Sequence, residues 1–242
     1  FSIDARPGTE QTQMDWEVAP DGLRDVLLAL HAEYAPPEIV ITEKCDGSNL
    51  TYTRQGVFAR SHSGPPSHPS FDWAKATHGR VLYRLSDDLS VFCEYCYAIH
   101  SIEYGALPDY SLVFCVRDDA RGLWWDWDMV VAQAGELELP TVPLLFRGIV
   151  ASERALEQLT IALAAEPSCF GGSREGVVVR IAASFEEAVF SRSLAKWVRK
   201  GHVITDEHWL HQAIRPQRLR NRSDASALVE LAGHSPGEPS SS

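Results

Sequence analysis

The sequence has few of the features that mark membrane-spanning or secreted proteins. It contains no apolar run of about 18 residues, the length that a bilayer-spanning helix needs, and its first residues lack a signal-peptide pattern. Its five cysteines are too few, and odd in number, for a disulfide framework, which favours a reducing compartment and predicts a cytoplasmic protein. Cys93 and Cys96 have the spacing of a zinc ribbon but no second pair follows, so we predict no zinc site there.

Basic residues are also scarce. The 22 lysines and arginines face 33 acidic residues, which gives a net charge of −11 at neutral pH. Proteins that hold nucleic acid through unspecific phosphate contacts are usually basic. The balance therefore argues against a protein that tracks along duplexes, and leaves local basic patches as the possible nucleic-acid contacts.

What the sequence does contain is the material for one large domain. Its length is 242 residues, and 45% of them are hydrophobic, enough for a substantial core. Strand-like and helix-like segments mix without βαβ regularity, which predicts an α+β fold with mainly antiparallel sheets flanked by helices. The predicted helices are 21–34, 71–85, 128–133 and 152–166, and the predicted strands are 38–42, 50–53, 57–60, 90–97, 110–117, 123–127, 175–181 and 188–198.

One lysine occupies an unusual position, the turn Lys44-Cys45-Asp46-Gly47 between two strand-like runs. We expect Gly47 to supply the positive φ that such a turn often needs. A lysine at this place suits a nucleophile, because burial and nearby cations lower the pKa of an amine and free its lone pair. Asp46 beside it suggests a metal ion or a metal-bound water. The same four residues also occur in ordinary surface turns, so the rest of the chain decides between the two interpretations.

Five later segments, in order, join this turn in resembling the motifs of the covalent nucleotidyltransferases, the superfamily of ATP-dependent DNA and RNA ligases and mRNA capping enzymes. Asn49 and the segment 142–145 are similar to the RNA ligase 2 branch in particular. The resemblance covers residues 38 to 210, and six ordered motifs are far more specific than one. The segments are 44–47, 58–61, 91–95, 112–116, 175–180 and 194–198.

The resemblance implies a nucleotidyltransferase (adenylation) domain over residues 1–210, followed by a basic and then low-complexity tail over 211–242. It implies an ATP-dependent RNA ligase in which Lys44 attacks the α-phosphorus of ATP, and AMP then passes from the lysine to an RNA 5′-phosphate. A 3′-hydroxyl finally displaces AMP and seals the RNA. Lys44, Asp46, Glu175 and Lys196 are the implied catalytic residues, with Asp46 and Glu175 serving Mg²⁺ or Mn²⁺.

The resemblance also assigns contacts to the nucleotide. Phe114 corresponds to an aromatic ring that stacks on adenine, Glu94 to an acceptor from a ribose hydroxyl, and Arg60 to an arginine near the ribose and the RNA end. Phe114 is equally well explained as a core phenylalanine. The complete set of implied nucleotide-binding residues is Glu43, Asn49, Arg60, Glu94, Phe114, Lys196 and Lys200.

Strand periodicity adds a test of two of these assignments. Glu175 shares a face with Val177 and Val179 if the strand includes it, so it lies either at the wet end of the strand or in a metal site. Lys196 shares a face with residues 192, 194, 198 and 200, and is either a phosphate ligand or a lysine that reaches out from an edge strand. RNA ligase 2 proteins carry Lys-x-Lys here, whereas Val198 takes the second place in this chain. Lys200 is in phase and is the candidate substitute, while Arg199 is out of phase.

Several alternatives stay open. His202, His208 and His211 are either surface residues or metal ligands, and the arginines at 215, 218, 220 and 222 form either a solvated face or a phosphate-contacting patch. The chain is also compatible with a DNA ligase, a capping-type enzyme or a catalytically weak nucleotide- or RNA-binding module. DNA ligases and capping enzymes normally add an oligonucleotide-binding domain after the last motif, and fewer than fifty residues follow Lys196. We therefore expect an RNA-repair ligase that acts on nicked or paired RNA ends, with a partner protein or a fused end-processing domain as possible help and no membrane association.

Overall fold

A computed structural model gives the structure of the protein and describes residues 37–59, 66–198 and 214–220. Several predicted features lie outside these residues: the helix 21–34, Arg60, Arg199, Lys200, Arg222, His202, His208 and His211.

Two antiparallel sheets form the body of the protein, and the predicted α+β fold is confirmed. The first sheet has the strand order β10-β8-β1-β7 and the second has the order β3-β2-β4-β5-β6-β9. The strands are β1 (Glu38–Lys44), β2 (Ser48–Thr53), β3 (Gly56–Ala59), β4 (Leu89–Tyr95), β5 (Ser111–Asp118), β6 (Leu123–Trp124), β7 (Leu144–Ile149), β8 (Gly176–Ile181), β9 (Phe185–Glu186) and β10 (Leu194–Val198). The helices are α1 (Asp72–Val81), α2 (Trp127–Glu136), α3 (Glu153–Ala165) and α4 (Phe190–Ser193), with 3₁₀ turns at Pro69–Phe71, Leu82–Arg84 and Glu187–Val189.

The first sheet separates its side chains cleanly by the alternation of the strands. One face packs against α3, where Leu156 and Ala164 are buried. The other face looks toward the second sheet. The residues on the α3 side are Ile39, Ile41, Val177, Val179, Ala195 and Trp197. Because successive residues of a strand point to opposite faces, the residues between them are left to line the space between the sheets.

Helix α3 forms where the sequence predicted it. Ser152 is extended and its side chain accepts a hydrogen bond from the N–H of Ala155 at 3.2 Å, which caps the helix. Leu156, Thr160 and Ala164 follow at intervals of four residues and form its buried face.

The second sheet contains the larger core. Its middle strands β2, β4 and β5 bury residues such as Tyr52, Val91 and Cys93. The Tyr52 hydroxyl lies 2.8 Å from that of Ser111, so the deepest polar group in this core has a partner. The predicted hairpin of β2 and β3 is confirmed, with Leu50 opposite Ala59.

Two segments differ from their predicted structure. The first half of the predicted strand 188–198 is a 3₁₀ turn followed by α4, because Phe190 packs its ring on Trp124, with the ring centroids 4.9 Å apart. The strand predicted over 123–127 ends at Trp124, since Asp126 accepts a hydrogen bond from the N–H of Met129 and caps α2. Strand β7 was not predicted; it pairs with β1 and is half exposed, so it lacks an apolar pattern.

Residues 214–220 lie against the second sheet's side of the molecule. Ala98 pairs with Pro216 and Leu107 with Leu219 as isolated bridges, and Gln217 is only 3% exposed. The sequence had placed this segment in the tail. Among the helices that the structure describes, none is long and apolar enough to cross a bilayer.

Candidate active site

The site begins at the end of β1, which is hydrogen-bonded to β7 on one side and to β8 on the other. Lys44 is the last residue of this strand, so its backbone is held in a sheet while its side chain leaves at the edge. The turn that follows needs Gly47, but not for the predicted reason. The described glycines with positive φ are Gly122, Gly171 and Gly172. A Cβ at Gly47 would instead lie 2.7 Å from the carbonyl oxygen of Tyr95, so the position requires glycine because β4 approaches closely.

Lys44 is surrounded by carboxylates. Its Nζ donates to Glu175 Oε1 at 2.5 Å, and its side chain is 22% exposed. Burial lowers the pKa of Lys44, but the charges of Glu175, Glu94 and Asp46 outweigh it, and the pKa is raised above its ordinary value. The expected lowering by nearby cations is therefore not found in the protein alone. The amine is protonated at neutral pH, and it must lose a proton before it can act as a nucleophile.

Glu175 reaches Lys44 because it precedes the strand. Strand β8 begins at Gly176, so the alternation that places Val177 beneath α3 does not extend to Glu175. A Cβ at Gly176 would lie 2.0 Å from the carbonyl oxygen of Trp197, which shows how closely β10 approaches here. The Glu-Gly pair thus combines a carboxylate beside Lys44 with a glycine that allows β8 and β10 to meet.

A cleft opens between the two sheets beside Lys44, and the space in it, including the part open to solvent, is about 540 Å³. Strands β1, β8 and β10 of the first sheet line one side of the cleft, and β4 and β5 of the second sheet line the other. The lining residues are Thr42, Glu43, Lys44, Cys45, Glu94, Phe114, Cys115, Val142, Val178, Arg180, Leu194 and Lys196.

Lys196 lies in the middle of β10, opposite Val178. Leu194 lines the cleft with it, whereas Ala195 and Trp197 pack on the α3 side, so the predicted phase of this strand is confirmed over 194–197. Arg192 belongs to α4, and the alternation does not reach it. Burial lowers the pKa of Lys196 to about 8, so the uncharged form of this lysine is populated much closer to neutral pH than that of an ordinary lysine.

Glu94 faces Asn49 across the pairing of β2 with β4. Burial raises the pKa of Glu94 to about 8; Lys44 opposes the shift, while Glu175 and Asp46 add to it. The side-chain oxygen of Asn49 is buried without a hydrogen-bond partner within the described part of the chain. Such an acceptor is costly to bury, which is consistent with a position that receives a hydrogen bond from a ligand.

Phe114 reaches the cleft through an irregularity of β5. Phe92 pairs with Cys115 and Cys93 with Val113, so Phe114 has no partner in the ladder. A bulge of this kind bends the strand and turns a side chain out of the regular pattern. The ring lies 6.5 Å from that of Phe92, tilted by 38°, and also lines the cleft, so its two predicted roles of core residue and stacking surface are compatible.

Two of the predicted site carboxylates, those of Asp46 and Glu43, accept hydrogen bonds from neighbouring loops of the protein. Asp46 Oδ2 accepts from the N–H groups of Ser101 and Ile102, each at 2.8 Å. Glu43 is 1% exposed, and its carboxylate accepts from Ser168 Oγ at 2.5 Å and from the N–H of Cys169 at 2.9 Å. The guanidinium of Arg174, itself 2% exposed, lies 3.4 Å from the same carboxylate. Glu43 therefore anchors the loop 168–174 behind the nucleophile, and its nucleotide contact stays a prediction.

The donor set beside Lys44 suits a hard divalent cation that keeps water ligands. Over residues 37–59, 66–198 and 214–220, no three His, Cys, Asp or Glu side chains converge to form a complete metal cage. Magnesium is usually held by one or two carboxylates together with substrate phosphates and waters rather than by such a cage. Glu175 beside Lys44 matches that pattern, and the predicted metal roles of Glu175 and Asp46 stay predictions.

The structure adds residues that shape the site and were not among the predicted site residues. Arg180 is 2% exposed and donates to the carbonyl oxygen of Trp125 at 2.6 Å and to Cys115 Sγ at 3.4 Å, which joins the two sheets beside the cleft. His100 Nε2 lies 3.5 Å from Ser48 Oγ, beside the nucleophile turn. Arg180 ends the motif 175–180, which was a signal; His100 and the Arg174–Glu43 pair had none.

Comparison with known proteins finds similarity over the part of the chain that forms the cleft. The family model for RNA ligases matches residues 37–198. A variant of Naegleria gruberi RNA ligase with ATP and Mn is similar in structure, with a TM-score of 0.55 and 15% identity over 84% of this chain and 58% of that one. Naegleria gruberi RNA ligase with PPi gives a TM-score of 0.53 and 17% identity over 82% and 57% of the two chains. At such identity the likeness shows the fold, and the chain spans less than three fifths of these structures. No curated protein sequence matches significantly.

Proposed function

The chain belongs to the RNA ligase family, and from that membership we propose that it is an ATP-dependent enzyme that joins RNA ends through a lysyl-AMP intermediate. The observation that carries the proposal is the cleft itself. Lys44, Lys196, Glu94 and Phe114 line one cavity between the sheets, and Glu175 contacts Lys44 at its edge. A nucleophile, a cation, a hydrogen-bond acceptor and a flat aromatic surface in one cavity are the parts that a nucleotide-attacking enzyme needs.

In the first step Lys44 Nζ attacks the α-phosphorus of ATP. A phosphorus–nitrogen bond forms, the bond from the α-phosphorus to the bridging oxygen breaks, and pyrophosphate leaves with that electron pair. Glu175 Oε1, 2.5 Å from Nζ, is placed to hold the proton that the amine must release. ATP phosphates near Lys196 favour its charged form, so binding raises the pKa of this lysine from about 8 and keeps its charge at the reacting centre.

A divalent cation, Mg²⁺ or Mn²⁺, would neutralise the phosphate oxygens when bound, with Glu175 and Asp46 as the residues that hold it or its waters. The similar Naegleria gruberi RNA ligase structure, which contains ATP and Mn, supports this choice. Phe114 would stack on the adenine and Glu94 would accept from the ribose. Asn49, Glu43, Arg60 and Lys200 complete the proposed nucleotide contacts, the last two from outside the described residues.

The remaining steps act on RNA. AMP passes from Lys44 to an RNA 5′-phosphate, and a 3′-hydroxyl then attacks that phosphate and releases AMP. We propose nicked or paired RNA ends as substrates, with a partner protein or fused domain as a source of additional RNA binding. All five cysteines are free, which supports a reducing compartment such as the cytoplasm.

One observation favours a second candidate, a catalytically weak nucleotide- or RNA-binding module. Val198 takes the place of the second lysine in the Lys-x-Lys pattern, which removes one positive charge from the proposed phosphate site. Incubation with α-labelled ATP, followed by denaturing electrophoresis, separates the two candidates: a ligase retains label on the protein, and a binding module does not. The same assay with GTP tests a capping-type reaction, and sealing of matched RNA and DNA nicks tests a DNA ligase.

A further inference from the structure

The segment 214–220, which we call the strap, is joined to the nucleophile turn through one loop. Gln217 is its only residue that is fully buried among those described, at 3% exposure. Its backbone N–H donates to the carbonyl oxygen of Tyr97 at 2.7 Å, and its own carbonyl accepts from the hydroxyl of Tyr110 at 3.1 Å. The backbone of Gln217 is thereby fixed against the second sheet, and its side-chain amide points into the loop 98–107.

That amide bonds two residues of the loop. Gln217 Nε2 donates to the carbonyl oxygen of Ile102 at 2.6 Å, and Gln217 Oε1 accepts from the N–H of Tyr104 at 2.7 Å. A glutamine amide offers one acceptor and one donor group side by side, so a single side chain fixes both peptide groups. Buried hydrogen bonds of this kind are costly to leave unmade, which makes the loop position depend on Gln217.

The same two loop residues hold Asp46, two positions beyond the nucleophile. The N–H of Ile102 donates to Asp46 Oδ2 at 2.8 Å, and the N–H of Asp46 donates to the hydroxyl of Tyr104 at 2.7 Å. Two parallel paths therefore run from Gln217 to Asp46, one through Ile102 and one through Tyr104. Each path consists of two buried hydrogen bonds and ends on the turn that carries Lys44.

We propose that Gln217 is a positioning residue for Lys44: through Ile102 and Tyr104 it fixes the turn that aims Nζ into the cleft. The strap is then part of the catalytic domain rather than a tail beyond it. This inference rests on the proposed function, because aim matters only if Lys44 attacks a bound nucleotide. A displacement of about 1 Å at a reacting group is enough to slow a reaction about a hundredfold, so a small relaxation of the turn has a measurable effect.

The test compares Gln217→Met with Leu219→Ala. Methionine is close to glutamine in size but lacks both polar groups, whereas Leu219 belongs to the same strap and packs its side chain on the core without a side-chain hydrogen bond. We expect Gln217→Met to lower the maximal rate of adduct formation with ATP about tenfold while changing the half-saturating ATP concentration less than about twofold. Leu219→Ala should lower the melting temperature at least as much as Gln217→Met does, and should change the maximal rate of adduct formation little. A purely structural role of the strap predicts equal rate losses in the two variants.

A second readout does not depend on catalysis. Amide hydrogen exchange should be about tenfold faster in Gln217→Met at residues 46 and 101–104, and unchanged there in Leu219→Ala. If the wild type forms no adduct, the proposed function fails, and exchange alone still decides whether Gln217 fixes the turn. Unchanged exchange overturns the inference, and so does faster exchange with an unchanged adduct rate.

Two further variants keep the test decisive if Gln217→Met does not fold. Gln217→Glu keeps the acceptor for Tyr104 but turns a carboxyl oxygen toward the carbonyl oxygen of Ile102, so the path through Ile102 is lost and the rate and the exchange should change in the same direction. Tyr104→Phe removes the hydroxyl that receives the N–H of Asp46. In the double variant of Gln217→Glu and Tyr104→Phe the loss in rate should exceed the sum of the two single losses, since each single variant leaves one of the two parallel paths intact. Full additivity would place Gln217 and Tyr104 on independent structures and contradict the proposal.

Discussion

Lys44 shares its hydrogen bond with Glu175, and that contact both aims the amine and keeps it protonated. The amine can lose its proton if a divalent cation binds beside the Glu175 carboxylate, because the cation offsets the negative charge that raises the pKa of Lys44. Replacing Lys44 therefore tests its role in adduct formation separately from its role in the stability of the protein.

We expect Lys44→Arg to abolish the covalent AMP adduct while the protein keeps a melting temperature near that of the wild type. Arginine keeps the charge opposite Glu175, but its guanidinium is not a nucleophile at neutral pH. Lys44→Ala should also lose the adduct and should be less stable, since it leaves the Glu175 carboxylate buried without its cation. Labelled ATP and thermal unfolding measure the two effects. Undiminished adduct in either variant would refute Lys44 as the nucleophile.

Lys196 carries a pKa lowered to about 8 by burial, so its charged form is disfavoured in the folded protein. The unfolded chain binds more protons at this site between about pH 8 and its ordinary pKa of 10.5, and the folding free energy therefore improves as the pH rises through that window. We expect Lys196→Met to stabilise the ligand-free protein at pH 7 by on the order of 1 kcal/mol, and to lose adduct formation.

Urea unfolding of the wild type and Lys196→Met at neutral pH and above the window measures this difference. The gain of the variant should shrink toward zero as the pH approaches the ordinary pKa of lysine. A gain that is independent of pH would show that packing, not the charge of Lys196, determines the effect.

At the scale of elements, the pairing of β8 with β10 brings Lys196 into the cleft and Glu175, which precedes β8, beside Lys44. Gly176 makes the approach possible, because a Cβ there would lie 2.0 Å from the backbone oxygen of Trp197. Backbone oxygens in a paired strand cannot move aside independently, so a larger residue must separate the strands.

We expect Gly176→Ala to destabilise the protein by about 3 kcal/mol or more and to abolish adduct formation. Gly79→Ala is the matched control. Gly79 lies in α1 with nothing within 4 Å of its added Cβ, so alanine should stabilise that helix by about 0.5–1 kcal/mol. Denaturant unfolding of both variants gives the comparison. Equal stability of Gly176→Ala and the wild type would mean that the backbone of β10 does not approach Gly176 closely.

Elements with a strong local signal were predictable from the sequence. Helix α3 has a serine cap and apolar residues at helical spacing, so it was found at nearly its true bounds. The strand predicted over 188–198 was right only for its second half, Leu194–Val198, where the side chains alternate between two faces. Strand β7 and helix α4 were missed, because β7 is held by pairing with β1 and α4 by aromatic contacts to Trp124. Such long-range contacts leave little trace in a local pattern.

The same distinction applies to the site. Motifs predicted Glu175 and four residues that the structure brings to one cleft, with Glu175 in contact with the first of them. The four are Lys44, Glu94, Phe114 and Lys196. The bulge that exposes Phe114 and the hydrogen bonds from Gln217 to the loop 98–107 could not be predicted. They depend on which strands and segments meet in space.

At the scale of the whole molecule, charge determines how strongly the proposed RNA substrate can bind. The net charge is −11, yet Arg215, Arg218 and Arg220 are exposed on the strap, close to the loop that supports the nucleophile turn. If the chain binds RNA as proposed, three arginines on an acidic protein predict weak binding that falls steeply with salt, because each neutralised phosphate adds to the salt dependence.

We therefore expect the 242-residue chain to form its AMP adduct readily and to seal a nicked duplex much better than an unpaired strand. Base pairing holds the two ends together and replaces binding energy that the protein does not supply. Raising the salt from low to moderate concentration should reduce sealing of the nick about tenfold or more and leave adduct formation with ATP nearly unchanged. Replacing the three strap arginines by glutamine should flatten that salt dependence, whereas the same change at exposed Arg80 and Arg154, away from the strap, should not. Equal sealing of nicked and unpaired RNA that does not depend on salt would contradict this prediction. It would show that the chain binds RNA through a surface other than the strap, since binding through few phosphate contacts cannot be both strong and independent of salt.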